Sequence, residues 1–324
     1  MVYELIVANK RTGQIFDLST ITTEVTYTTN RTGQPGTLKF TLQKAGQLDY
    51  LEGDEVRLSV DGQLIFYGWV FTKKKDRWGK IENTCYDRLR YLKASAVYAF
   101  YDQTAESIIQ QICADLQVDI GTIEATGYTL PEYIKDQETS CLDIISEVLE
   151  QVLLNTGKIF VLYDNGDGVS LSSAESMKVQ ISLGDGAYVG DYTYTTDIDE
   201  QTYNSIKLAR PNEETGRADV FVTEDSENMG KWGKLQYYAQ VDEALNDAQV
   251  AEMGAQMLEY YNRRLRTLTV ESLGVPGLRA GQMVYMHIYQ LGDINLEQWV
   301  LLEKVTHKFE QNFHTMDLET MELG

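Results

Sequence analysis

Residues 53–93 read GDEVRLSVDGQLIFYGWVFTKKKDRWGKIENTCYDRLRYLK, and this stretch decides the fold class. Asp54 to Val60 alternates, with Val56, Leu58 and Val60 on one face. Asp61-Gly62 supplies a tight turn, because glycine accepts positive φ, and LIFYGWVF returns as the second strand. A third alternating segment runs from Ile81 to Tyr86. Upstream, Pro35-Gly36 marks a turn before TLKFTL. Short strands at this spacing predict a small barrel or sandwich over residues 1–93.

The period then changes. Between Gln103 and Gln117 the apolar positions Ala105, Ile108, Ile109, Ile112, Cys113 and Leu116 step by three and four and form one helical stripe. A second helix is expected from Ser140 to Asn155. Ser140 and Asp143 resemble a capping pair, and Gly157 can close the helix in the left-handed conformation. KIFVLY, DNGDG and VSLSS then read as a hairpin, so residues 94–190 make an α/β insert. Residues 191–324 return to strands around one long helix, expected at 242–265. Its seam of Ala244, Ala248, Ala251, Ala255 and Leu258 is narrow enough for a neighbouring backbone to approach closely. Strands resume at RTLTVESL, QMVYMHIYQ, QWVLLEKVTHKF and FHTMDLETMEL.

A weak internal repeat links the two β regions. Gly53-Asp54-Glu55-Val56 leads through a strand and a turn into Trp69-Val70, and Gly281-Gln282-Met283-Val284 leads similarly into Trp299-Val300. A duplicated β unit would let three copies present six similar surfaces, so a threefold object could dock on a sixfold one.

Composition excludes several classes. With 43% hydrophobic and 24% charged residues, the chain has the apolar surface that a disordered sequence lacks. No run of eighteen apolar residues occurs, so no membrane-spanning helix is expected, and the first residues lack the pattern of a signal peptide. The net charge of −21 disfavours specific binding to nucleic acid, which needs clustered cations, and disfavours anionic membranes. Three cysteines without a C-x-x-C pair predict free thiols rather than disulfides or zinc. His287, His307 and His314 show no metal-ligand spacing. DNGDG lacks the register and terminal glutamate of a calcium loop, and GDGAYVG is not a dinucleotide fingerprint. No catalytic, cofactor-binding or metal-ligating residue is therefore assigned, and no cofactor is expected. The run Lys73-Lys74-Lys75, followed by Asp76, Arg77 and Trp78, reads as a solvated hairpin tip that blunts strand pairing or, less simply, as a contact patch.

The segments GDEVRLSV, FYGWVFTKK and YDRLRYLK resemble the XkdQ/YqbQ group of contractile phage tail proteins, as do KWGKLQYYAQVDE, YNRRLRTLTV and EKVTHKFEQNFHTMDLE downstream. The resemblance implies a mainly β fold: two similar tail-tube-like β-barrels, an inserted α/β domain and one long helix. It implies a homotrimeric hub of a baseplate, in a phage, a PBSX-like prophage or an R-type bacteriocin; family members have often carried a hydrolase label, but this sequence shows no catalytic constellation, so the hub is read as non-enzymatic. Its partners would be the tail tube protein or tube initiator, the central spike, and the tape measure or a LysM-containing baseplate protein. It would reside in the host cytoplasm during assembly and then in the tail. A tail-associated peptidoglycan hydrolase is the alternative, and a carbohydrate-binding module a third reading. For a hub, the expected contact positions are Lys73, Lys74, Lys75, Trp78, Ala248, Ala251 and Ala255.

Overall fold

The computed structural model describes residues 2–43, 48–186, 188–199, 201–212, 216–241, 243, 245–310 and 313–323. It comprises two compact units, Met1–Thr193 with Thr269–Met321, and Tyr194–Leu268 with Glu322–Gly324.

The larger unit opens with β1 (Tyr3–Ala8), β2 (Ile15–Asp17), β3 (Thr22–Asn30), β4 (Thr37–Leu42), β5 (Glu55–Val60), β6 (Gln63–Lys75) and β7 (Ile81–Tyr86). Alternation in these segments puts Val56, Leu58, Val60, Phe66 and Val70 into one core with Leu5, Leu38 and Phe40. The β5–β6 hairpin turns on Asp61 and Gly62, both at positive φ, as the dipeptide predicts. Gly68 sits where β6 presses on β7. A Cβ there would lie 2.2 Å from the Tyr86 carbonyl oxygen, so FYGW tolerates no side chain at its glycine.

A 3-10 turn at Arg88–Lys93 leads into β8 (Ser95–Thr104), α1 (Ala105–Asp115), β9 (Ile120–Ile123), β10 (Thr129–Ser140), α2 (Cys141–Thr156), β11 (Phe160–Asp164) and β12 (Val169–Ser173). Both expected helices form. Ser140 accepts from the Asp143 N–H, and Gly157 closes α2 at φ 69°. Ile108, Ile109 and Ile112 of α1 meet Ile144, Ile145 and Val148 of α2 over β8, β11 and β12, with Leu89 and Leu92 of the turn in the same core. DNGDG connects β11 to β12, as expected of a hairpin.

Next come β13 (Lys178–Gly184) and β14 (Val189–Asp197). The smaller unit contains β15 (Ser205–Asn212), β16 (Arg217–Glu224), α3 (Ser226–Trp232), β17 (Gln236–Gln240) and α4 (Asp247–Tyr261). Its sheet runs β16-β15-β17, and Val250 of α4 joins Ile206, Leu208 and Val241 in its core. The long helix is shorter than the 242–265 expected. Asn246 accepts from the Gln249 N–H in a capping box that starts it, and Asn262 ends it. Asp242 and Ala244 lie outside the described residues. The chain closes with β18 (Leu265–Leu273), β19 (Met283–Leu291), β20 (Ile294–Glu310) and β21 (Phe313–Thr320).

The mainly β, α+β architecture is as read from sequence, but separate closed barrels do not form. One 13-stranded sheet follows the order β14-β18-β21-β20-β3-β4-β7-β6-β5-β1-β2, with β19 and β13 branching from β20. The two β regions fuse because the 17-residue β20 is long enough to pair with β19 through its first half and with β3 through its second. The sheet still curls. The Tyr3 hydroxyl of β1 reaches Thr22 of β3 at 3.1 Å, and its ring lies 5.9 Å from that of Phe309 on β20.

The topology repeats. In the first region β3-β4-β7-β6-β5-β1 are neighbours, and in the second β14-β18-β21-β20-β19-β13. Numbered along the chain, both orders are 2-3-6-5-4-1. The local hydrogen bonds repeat as well. The Gly53 N–H donates to Val70 and the Val70 N–H to Asp54, while the Gly281 N–H donates to Leu302 and the Leu302 N–H to Gln282. Gly53 and Gly281 both have positive φ, 88° and 86°. Asp54 accepts from the Leu51 N–H, and Gln282 accepts from the Arg279 N–H. Each long strand then bulges one residue on, after Val70 and after Leu302. The counterpart of Trp69 is therefore Leu301. Trp299, which the sequence comparison aligned with it, falls two residues short, because the second hairpin is longer. One difference remains: β1 pairs antiparallel with β5, whereas β13 pairs parallel with β19.

Candidate functional site

The basic tip is the end of β6. Lys73 is only partly exposed. Its ammonium donates to the Tyr50 carbonyl at 2.7 Å and lies 3.9 Å from the Tyr50 ring centroid, and burial draws its pKa downward. Lys74 is exposed and pairs with Glu82 across the hairpin at 3.5 Å, a surface bridge that solvent and salt screen. Lys75 is exposed. Asp76 shapes the turn by accepting from the N–H groups of Trp78 and Lys80, which leaves the Trp78 ring 71% exposed beneath the Arg77 guanidinium. An indole so exposed retains most of the free energy that burial would release, which suits a partner surface.

Beyond the bulge, the backbone of Thr72 to Lys75 pairs with β7 on one side. Pairing with β5 on the other side stops at Trp69. Among the described residues the basic tip is therefore also a sheet edge.

In the smaller unit Ala248, Ala251 and Ala255 share a face of α4, and that face is exposed. The face packed on the sheet carries Val250, Gly254 and, partly buried, Leu258 and Tyr261. A Cβ on Gly254 would come 2.9 Å from the Thr223 hydroxyl, so glycine, not the alanine seam, provides the close approach.

The segment YDRLRYLK joins sheet to insert through buried polar groups that sequence reading did not single out. Arg88 and Asp164 form a buried ion pair at 3.1 Å. Asp164 also accepts from the backbone N–H groups of Arg88 and Gly166, and its carbonyl accepts from Arg279. Asp87 caps the 3-10 turn, accepting from the N–H groups of Leu89 and Gly36. Burial, and then the nearby Asp164 carboxylate, push its pKa up to about 8. Asp87, Asp164 and Arg279 line a cleft of about 180 Å³ together with Tyr27, Tyr67 and His307.

His307 and His314, seven apart in sequence, face each other across the β20–β21 pair. The Nε2–H of His307 donates to the Leu278 carbonyl at 2.7 Å, so its Nδ1 is left to accept from His314 Nε2 at 2.9 Å. Burial holds both rings neutral, with pKa values down at about 4. This pair extends the repeat, because Leu278 and His307 correspond to Tyr50 and Lys75. In each repeat a side chain from beyond the bulge closes on the matching carbonyl, from Lys73 in one case and His307 in the other. Among the described residues no group of three or more acids, histidines and cysteines could hold a metal ion, and all three cysteines are free and buried.

The repeated sheet unit with an α/β insert is the fold of phage tail proteins. The prophage MuSo2 43 kDa tail protein from Shewanella oneidensis superposes with a TM-score of 0.71 at 14% identity, over 98% of each chain. The YQBQ-like profile matches residues 25–321, and the chain belongs to that family. It is 29% identical over 274 residues to the uncharacterized protein YqbQ of Bacillus subtilis, covering 84% of this chain and 82% of that one. It is 28% identical to the phage-like element PBSX protein XkdQ of the same organism, with the same coverage. The tail protein from Neisseria meningitidis MC58 superposes with a TM-score of 0.72 at 13% identity, over 100% of this chain and 97% of that one.

Proposed function

We propose that the chain is the central hub of a contractile tail baseplate, in which three copies form a ring that joins the sixfold tail tube to the threefold spike. The observation that carries this reading is the duplicated strand order, with its matched hydrogen bonds at Gly53 and Gly281. One chain supplies two like units, so three chains supply six, and symmetry then fixes which surfaces meet. The partners are the tube protein or its initiator, the spike, and the tape measure or a LysM-containing baseplate protein. Assembly takes place in the host cytoplasm and the product resides in the virion or bacteriocin tail. The exposed Lys74, Lys75 and Trp78, with the half-buried Lys73, are proposed contacts in the larger unit. Ala248, Ala251 and Ala255 are proposed contacts in the smaller. The net charge of −21 per chain suits a conduit that must not retain passing DNA.

Deleting the gene from the element that encodes it, and complementing in trans, tests the reading. The expected result is loss of assembled tails, restored by complementation, with the protein recovered in purified tails. Normal tails in its absence would overturn it.

A further inference from the structure

Arg279 is a cation without a counterion. Its Nη1–H donates to the Asp164 carbonyl at 2.8 Å, and its guanidinium lies 4.5 Å from the Tyr163 ring centroid. Among the described residues no carboxylate reaches it at ion-pair distance, and its buried Nε has no hydrogen-bond partner. Tyr27 is a second unmatched donor. It is only 5% exposed, and its hydroxyl makes no hydrogen bond among the described residues. Burial raises its pKa far above the ordinary phenol range, so the hydroxyl keeps its proton. Both side chains line the cleft of about 180 Å³, with the exposed Gln63 beside them. That volume has room for about six waters. Buried donors without acceptors are costly, and folded proteins satisfy nearly all of them.

The other ionisable groups that face the cleft leave Arg279 uncompensated. Asp164 is matched by Arg88 at 3.1 Å. Burial keeps His307 neutral, with its pKa down at about 4, and raises the Tyr67 phenol. Asp87, pushed up to about 8, holds its proton at neutral pH. The cleft thus carries one unbalanced positive charge. The net charge of −21 opposes an anion from afar, but salt screens that repulsion beyond about 10 Å.

We propose that this cleft binds a small tetrahedral oxyanion, with Arg279 as its counterion and Tyr27 and Gln63 as further donors. The three donors stand on separate segments: Tyr27 on β3, Gln63 at the start of β6, and Arg279 in the loop before β19. A tetrahedral anion accepts from several directions at once, whereas a planar carboxylate favours donors in one plane, and arginine is well suited to oxyanions. The site does not depend on the ring reading.

Equilibrium dialysis of the full chain against radiolabelled sulfate, at fixed ionic strength, tests the proposal. Sulfate keeps its charge across the range used. The expected result is one saturable site per chain. Affinity should hold from about pH 6 to 8, then fall by up to about tenfold per unit as Asp87 ionises and supplies the negative charge itself. Arg279→Gln is expected to weaken binding about tenfold or more, the scale of one charge-assisted contact, and Arg279→Lys, which keeps the charge but not the fork, by less. Tyr27→Phe removes only the unbonded hydroxyl. It is expected to bind sulfate several-fold more weakly while keeping the wild-type melting midpoint in sulfate-free buffer, a pattern that a merely structural hydroxyl would not give. A wild-type chain with no saturable site, or Arg279→Gln and Tyr27→Phe chains that bind sulfate as the wild type does, would overturn the proposal.

Discussion

Asp164→Ala is expected to destabilise the larger unit by about 3–5 kcal/mol, the cost of leaving a buried charge without its partner. The carboxylate is buried and accepts from the Arg88 guanidinium, the Arg88 N–H and the Gly166 N–H, so one truncation orphans three donors. Arg88 would retain the Gly166 carbonyl and a 3.5 Å approach to the exposed Asp119, which cannot replace a buried carboxylate. Asp164→Asn keeps an acceptor for Gly166 and removes only the charge, so its loss should be intermediate. Urea denaturation followed by tryptophan fluorescence reads the effect, since Trp69 lies against Arg88. A midpoint for Asp164→Ala within experimental error of wild type would show that the sheet and the insert do not depend on this pair.

Acid should act on the histidine pair with comparable size. In the unfolded chain both rings take up protons from about pH 6.5 downward. In the folded protein they do so only near pH 4. Between those values the unfolded state binds more protons, so stability falls as pH drops from 6.5 toward 4 and is fully present above 6.5. A shift of this size corresponds to about 3 kcal/mol or more for the pair. The geometry gives the reason. With His307 Nε2–H committed to Leu278, a second proton on Nδ1 would point at the His314 donor. Thermal melts across this range, paired with ring-proton NMR titration, check both parts. Rings that titrate near pH 6.5 in the folded protein would contradict the account.

Local features were legible in the sequence because short-range chemistry fixes them. The Asp61-Gly62 turn, the Ser140 cap, the Gly157 terminus and the apolar stripes of α1 and α2 each depend on residues within a turn or two. The repeated glycines were legible too, since both need positive φ at the same point of the strand pair. What failed was register over distance. Trp69 and Trp299 attract the eye as a match, but the hydrogen bonds from Gly53 and Gly281 count along the backbone and place Leu301 opposite Trp69's role. The fusion of the two β regions depends on β3 meeting β20 some 280 residues later, and nothing local announces it. The Arg88–Asp164 pair spans 76 residues and lay hidden in a loop read only as a turn. On α4 the alanine spacing is genuine, but the apolar residues Val250, Leu258 and Tyr261 define the inner face, so the alanines point outward. The small sheet of β15 to β17 was read only as generic strands, because its parallel β15–β17 pairing needs the intervening α3 to form.

The central claim is that the two strand-order repeats in one chain act as equivalent units of a ring. Cryo-electron microscopy of the purified protein assembled on its tube protein tests it most directly. Viewed down the axis, the account predicts three chains arranged as six alternating, closely similar lobes at one radius. Three lobes only, with the second repeat of each chain lying at another radius or height, would contradict it.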